Sequence, residues 1–544
     1  TWTGQTEQIF LNRNPIANSY LHHGTNHMYI SLSGNTASGH SEQVLLDYMD
    51  LTYWREYKTS EDKIKFSKPS NRPAGLYQFQ LEGFSSSDVS VYKLGSSIIT
   101  NCQIEPFNLD GLAPWTVTMQ DSVSSSTVKY YALTEDKKKS PISLRINLPS
   151  DLKNPNNSAD VILVSNRELL NCEGTDLLVS LWEAENHTVA RVDYQDIFDE
   201  FNHGIRSAES LKDFFSYAYN YWSSPQLKHI VLLGEGVSDE RDNSPARKYA
   251  LIPVKMAWTW TLGATACDPW YACLVGDDIV PDVAITRINV WQPQQVLDYA
   301  QKAESYRNNL QTQRLWNSHL TFSAGGRAND SEDTFAKQSE RIRRKNVPDH
   351  YRVSRVYTRT SDSDFLGGTF NLLEQINSGT QYLQFIGHGG GRIWSDYNLF
   401  NFNNVATLNN PVYPIVLSLA CYVSAFDTNG ASSLSEALVV QPGKGAIATL
   451  GFSGLGLMAQ NEDWGMAFTE ALFKHDFPTL GQTLQYSLAR FYTTTSASNG
   501  RYALINGTAM LGDHLIKPRK PAADIPVSLS SHVLQPGEVL QVNA

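Results

Sequence analysis

Two short apolar runs end on side chains able to do covalent chemistry. Residues 382–386 read Tyr-Leu-Gln-Phe-Ile and lead into Gly387-His388-Gly389-Gly390-Gly391, and residues 415–419 read Ile-Val-Leu-Ser-Leu and lead into Ala420-Cys421. Runs of this length and composition read as buried strands of a parallel sheet. In doubly wound sheets the carboxyl ends of the strands are where ligands bind. If the two strands are neighbours, one cleft holds an imidazole and a thiol. The thiolate of Cys421 would then attack a carbonyl carbon, and His388 would hold the thiol proton and deliver it to a leaving amine. Gly389 lacks a side chain that could cover the backbone, so the amides of Gly389 and Cys421 are candidate donors to an oxyanion. Each residue alone has an ordinary reading. A strand-end Cys is usually core packing, and a His among glycines is usually a turn residue. The chemical reading comes from finding both at strand ends.

Bringing those side chains together requires a sheet, and the chain supplies the strands. Its 544 residues are too many for one core, so two or three domains are expected. Residues 1–157 read as a β-rich N-terminal domain, a sandwich or jelly roll. Short alternating segments at 28–33, 43–54, 75–80 and 90–93 are broken there by Gly, Ser, Asn and Pro. A polar linker follows at 153–158. Residues 158–517 read as an α/β doubly wound sheet in two halves, 158–310 and 311–517. Buried runs at 160–165, 229–234, 320–324, 382–386, 415–420 and 446–450, and strands at 189–193 and 351–357, alternate with helices near 207–222, 294–309 and 333–345. Ser207 is placed to cap a helix whose Leu211, Phe214, Phe215, Ala218 and Trp222 share one face. Residues 518–544 return to alternation at 526–542 and read as the start of an Ig-like β domain.

Composition narrows the functions. The net charge of −11 leaves no basic footprint for nucleic acid, and no Lys/Arg block exceeds 137–139. No apolar run approaches the roughly 18–20 residues that span a bilayer. The chain opens on Thr1, which suggests a trimmed product. Its five cysteines form no CxxC or zinc pattern, and their odd number leaves at least one free or intermolecular thiol. His388-Gly389-Gly390-Gly391 also matches an esterase oxyanion loop, but the G-x-S-x-G elbow of that fold is missing, since residues 451–455 end on Leu. Phosphate-binding motifs are absent. His22, His23 and His27 flank Gly24 and read as turn residues.

Several separated motifs carry a family resemblance. Residues 190–222 with 229–236, the stretch 267–290 (Cys-Asp-Pro-Trp-Tyr-Ala, then Asp277-Asp278 and Pro281-Asp282), the His and Cys segments 382–394 and 414–427, and the closing segment 505–518 resemble the gingipain-type peptidases of family C25. That family shares a clan with caspases and legumains. Residues 160–513 follow its pattern, except that His514 stands where Pro is common. The resemblance implies a caspase-like fold and a cysteine endopeptidase acting on proteins or peptides through an acyl-enzyme, with Cys421 as nucleophile and His388 as its partner. It places Asp268 at the S1 subsite of Arg-specific members, where a carboxylate would pair with a basic side chain. Trp394 is the second candidate substrate contact. Some members orient the His with an acid near the Ile252-Pro253 pair. Leu251 precedes that pair here, so Glu235, at a strand end, is the candidate instead.

Residues 45–57 are similar to the region preceding the peptidase domain in PorU-like members, the surface sortases of type IX secretion. A secreted or outer-membrane-associated bacterial protein is thereby implied, and transpeptidation stands beside hydrolysis. An inactive, partner-binding scaffold is the non-enzymatic alternative. The chemistry requires no cofactor. The acids Asp277, Asp278 and Asp282, and the pair Glu462-Asp463, could hold structural calcium or form solvated loops.

Overall fold

The computed structural model describes residues 11, 17–22, 24–31, 46, 48–107, 114–144, 146–241, 243, 250–259, 263–308, 316–325, 334–358, 367–395, 398–521, 528–529, 535, 539 and 541–543. Contacts divide the chain into a unit Leu11–Leu148 and a unit built on Pro149–Ala544.

In the first unit, strands Lys63–Phe66, Tyr130–Thr134, Val89–Lys93 and Ser97–Ile99 form one antiparallel sheet, in that order. Gly75–Phe84, Trp115–Val123 and Gln103–Pro106 form a second. Alternation sets the inward faces: Ile64 and Phe66 are buried while Lys63 and Lys65 are exposed. They join Phe79, Leu81, Val91, Val117, Met119 and Tyr130 in one core. Strands expected at 75–80 and 90–93 are present. The described residues of 28–33 and 43–54 form no strand, and Tyr29 and Trp54 stay exposed. Alternation makes a segment fit for a sheet, but pairing makes it a strand. The rest of those two ranges lies outside the described residues, as does most of 526–542. Of the latter, Ser528–Leu529 and Val542–Asn543 pair.

The second unit is a ten-stranded sheet. Its strands in chain order are β1 (Val161–Ser165), β2 (Val189–Asp193), β3 (His229–Leu233), β4 (Ala284–Ile288), β5 (His319–Gly325), β6 (Arg352–Tyr357), β7 (Tyr382–Gly387), β8 (Ile415–Leu419), β9 (Ala448–Phe452) and β10 (Thr508–Gly512). Their spatial order is β6-β5-β7-β8-β9-β10-β4-β3-β1-β2. β10 runs antiparallel to β9 and meets β4 at Leu511 opposite Arg287, joining the two halves. Most strands are buried throughout, which explains their continuous apolar runs. Alternation still sorts their side chains. Tyr382, Ile386, Leu417 and Leu419 enter one core, and Leu383, Phe385, Val416 and Ala420 enter that of the other face.

The helix expected after Ser207 spans Ala208–Tyr221, and the Ser207 side chain accepts the Ser210 N–H. The closing motif anchors β10: the Asp513 carboxylate accepts from Arg307 Nη1 at 2.8 Å and Trp182 Nε1 at 3.1 Å. The loop after β3 meets the loop after β8, where Ser238 N–H donates to the Asp427 carbonyl at 3.0 Å. Carboxyl ends of strands from both halves therefore share one edge of the sheet.

Candidate active site

β7 and β8 are adjacent and parallel, with Ile386 opposite Leu419. Two residues further on lie His388 and Cys421. If the period-two alternation of the strands carries on past their ends, both would face the side that holds Ile386 and Leu419. The chain also reverses its strand order here. From β5 it proceeds to β6 on one side and to β7 on the other, so His388 sits at a topological switch point.

His388 is half-buried and held by its own backbone. Its N–H donates to the Gly325 carbonyl at 3.2 Å, and its carbonyl accepts the Ser395 N–H at 2.7 Å. Its ring stands edge-on to Phe335, with centroids 5.1 Å apart. Beyond it the glycines turn back as a hairpin, with Gly389 opposite Trp394 and Gly390 opposite Ile393. Since the 388/395 pair is hydrogen-bonded, Gly389 falls at a non-bonded position and its N–H points out of the ladder.

Cys421 begins a tight turn. Its sulfur accepts the Gly456 N–H at 3.3 Å, a donor placed to hold negative charge on sulfur. Tyr422 takes a left-handed φ of 59°, rare for a bulky side chain. Its N–H is fixed to the Gly454 carbonyl at 2.8 Å, and Ser424 N–H to that of Phe452 at 3.1 Å. The Leu434 N–H donates to the Gly391 carbonyl at 2.8 Å, tying the His loop to the helix Leu434–Val440 beyond the Cys turn.

The two loops touch at glycine. A Cβ on Gly389 would lie 2.8 Å from the Cβ of Ala420, whereas one on Gly390 would meet nothing nearer than 3.6 Å. Gly389→Ala is therefore expected to push the loops apart and lower kcat about 10²-fold, with Gly390→Ala near wild type. Steady-state cleavage of a peptide substrate by both variants checks this.

The remaining candidates, Trp394, Asp268 and Glu235, are all buried. Trp394 is buried at 0% exposure and stacks on Phe385 at 4.8 Å and 6°. It anchors the glycine hairpin, pairing with Gly389. Asp268 is also buried, and both its oxygens are taken by Arg287, through Nε at 2.8 Å and Nη2 at 2.7 Å. A substrate guanidinium would have to displace Arg287. Burial opposes the charge on Arg287, but Asp268, and more weakly Tyr271 and Glu235, hold its pKa above the ordinary value. Glu235 is buried near that guanidinium, and its carbonyl accepts the Leu251 and Ile252 N–H groups. Among the described residues, Phe335 packs edge-on against the His388 ring.

The acidic clusters are engaged by protein. Asp282 accepts the Leu274 and Val275 N–H groups, and Glu462 pairs with Arg341 at 2.6 and 2.7 Å. Among the described residues no three His, Cys, Asp or Glu side chains converge as a metal site. All five cysteines are free thiols.

Two contributors escaped the sequence reading. Gly456 belongs to a Gly-Leu-Gly run after β9, whose glycine spacing marks a loop that approaches another backbone closely. Arg287 is a charge inside an apolar strand, which always requires a buried partner.

A large mixed sheet flanked by helices, with a thiol and an imidazole on adjacent strand ends, fits an α/β caspase-like fold. Solved structures bear this out. The Arg-specific cysteine proteinase gingipain R (RgpB) aligns with a TM-score of 0.55 at 16% identity, covering 71% of this chain and 84% of that one. The complex of Porphyromonas gingivalis RgpB pro- and mature domains aligns at 0.53 and 16%, covering 69% and 83%. A structure described as a protease aligns at 0.54 and 17%, covering 72% and 86%. At these identities the likeness establishes the fold. The sequence profile of Peptidase family C25 matches residues 154–519, well over half of the chain, and the chain belongs to that family. No curated protein matches it.

Proposed function

We propose that this chain is a cysteine endopeptidase whose nucleophile is Cys421 and whose acid/base is His388. The sulfur attacks the scissile carbonyl carbon while its proton passes to the imidazole. The carbonyl oxygen becomes an oxyanion facing the amides of Gly389 and Cys421. Collapse breaks the C–N bond, His388 protonates the departing amine, and a thioester remains. Water deprotonated by His388 then releases the carboxylic acid. A surface transpeptidase would use the same thioester with an amine in place of water.

The single observation that carries this reading is the register of β7 against β8, in which Ile386 lies opposite Leu419, each two residues before His388 and Cys421. The chemistry needs no metal, and the substrate is a protein or peptide. The gingipain likeness supports a secreted or cell-surface setting, and among the described residues no helix is long and apolar enough to cross a membrane. A peptidyl acyloxymethyl ketone is expected to modify Cys421 alone of the five thiols, as read by peptide mass mapping. Equal labelling in His388→Ala, or preferential labelling of another cysteine, would sink the assignment.

A further inference from the structure

Arg287 places a guanidinium inside a strand that is buried throughout, and it is 0% exposed. Its Nε and Nη2 hold both oxygens of Asp268, and its Nη1 donates to the Gly234 carbonyl at 3.3 Å. Gly236 leaves room for it, since a Cβ there would lie 2.8 Å from Nη1. Its Cζ lies over the ring of Phe426, 4.7 Å from the centroid. Phe426 follows Cys421 in the same loop. That loop is pinned near the sulfur at Tyr422 and Ser424, and at its far end the Asp427 carbonyl accepts both N–H and Oγ of Ser238. Between those pins the loop rests on the guanidinium.

A buried ion pair is a poor way to gain stability, because apolar side chains of equal volume usually do as well or better. What a fork clamped by a carboxylate offers is a flat surface of fixed orientation. We infer that Asp268 and Arg287 are positioning residues: Asp268 fixes the Arg287 guanidinium against the Phe426 ring, and this contact sets where the Cys421 turn stands above the sheet. The inference rests on the reading of Cys421 as nucleophile. It also gives Asp268 a role that leaves its carboxylate closed to substrate.

The test uses the full chain and the best-cleaved member of a peptide library, with active sites counted by a labelled peptidyl acyloxymethyl ketone so that only competent molecules enter kcat. Phe426→Leu and Phe426→Met keep apolar volume but lose the ring, and Arg287→Lys keeps the charge but loses the fork. Each is expected to lower kcat roughly tenfold to hundredfold with KM within about twofold. The double variant Phe426→Leu/Arg287→Lys should be no slower than the slower single, since both remove one contact. A purely structural role would lower Tm and leave kcat per titrated site unchanged, and that result overturns the inference. Should Arg287→Lys fail to fold, the two Phe426 variants decide. Activity that survives Cys421→Ala would overturn the nucleophile itself, which a wild-type kcat in Phe426→Leu would not.

Discussion

Cys421→Ala is expected to abolish peptide cleavage, with kcat falling on the order of 10⁴-fold or more. His388→Ala is expected to cost roughly 10³-fold or more. The double variant should be no worse than Cys421→Ala, because a base with no nucleophile to serve contributes nothing. The fold should survive all three. His388 is held mainly through its backbone, by Gly325 and Ser395, and the Cys421 side chain contacts only the Gly456 backbone among its hydrogen bonds. Urea midpoints should therefore move by less than about 1 kcal/mol equivalent, as is usual for changes that open no large cavity. Near-native turnover in either single variant would remove the proposed mechanism.

Acid is expected to unfold this protein through a buried histidine cluster at the amino ends of β1 and β3. His514 Nε2 lies 3.1 Å from His229 Nδ1, the His229 ring stands edge-on to His187 at 5.3 Å, and His187 Nδ1 is 3.0 Å from Asp160 Oδ2. Burial pulls the His514 pKa from 6.5 down to about 3, and burial with the neighbouring His514 pulls that of His229 well below its ordinary value. Both rings are thus neutral in the fold, while the unfolded chain takes up their protons near 6.5. The stabilisation is complete above that value and drains away as pH falls toward the folded-state pKa. The loss is about 1.4 kcal/mol per pH unit for each such ring, so His514 alone gives up roughly 3 kcal/mol by pH 4.5. His514→Gln keeps a polar group and cannot titrate. Its urea stability should fall by about one proton less per molecule between pH 6.5 and 4.5. An unchanged slope would mean that His514 already carries its proton in the fold.

Much of the sheet was legible because its strands are buried on both faces. Apolar runs such as 229–233 and 415–419 admit few alternatives. The helix after Ser207 was legible because a cap and a single apolar face coincide. Residues 28–31 and 48–54 alternate as strands do yet remain unpaired, since alternation is blind to partners. Trp394 follows a glycine run, and its neighbours in the chain do not say which way its ring turns. Only the positions of Phe385 and Phe400 show that its ring belongs to the core. Asp268 looked open to a cation until Arg287, from the next strand, claimed it.

The amino-acid order by itself determined most of the buried strands of the large sheet, that two of them lead into a thiol and an imidazole, and that a glycine follows the imidazole. These are local properties, set by side-chain volume, polarity and a period of two. Tertiary structure alone decided that β7 lies beside β8, that β10 joins the halves, and that the acid nearest the expected subsite is already neutralised from within. Such choices depend on contacts between residues far apart in the chain, where burial and pairing over the whole sheet select one arrangement among many that the local pattern allows.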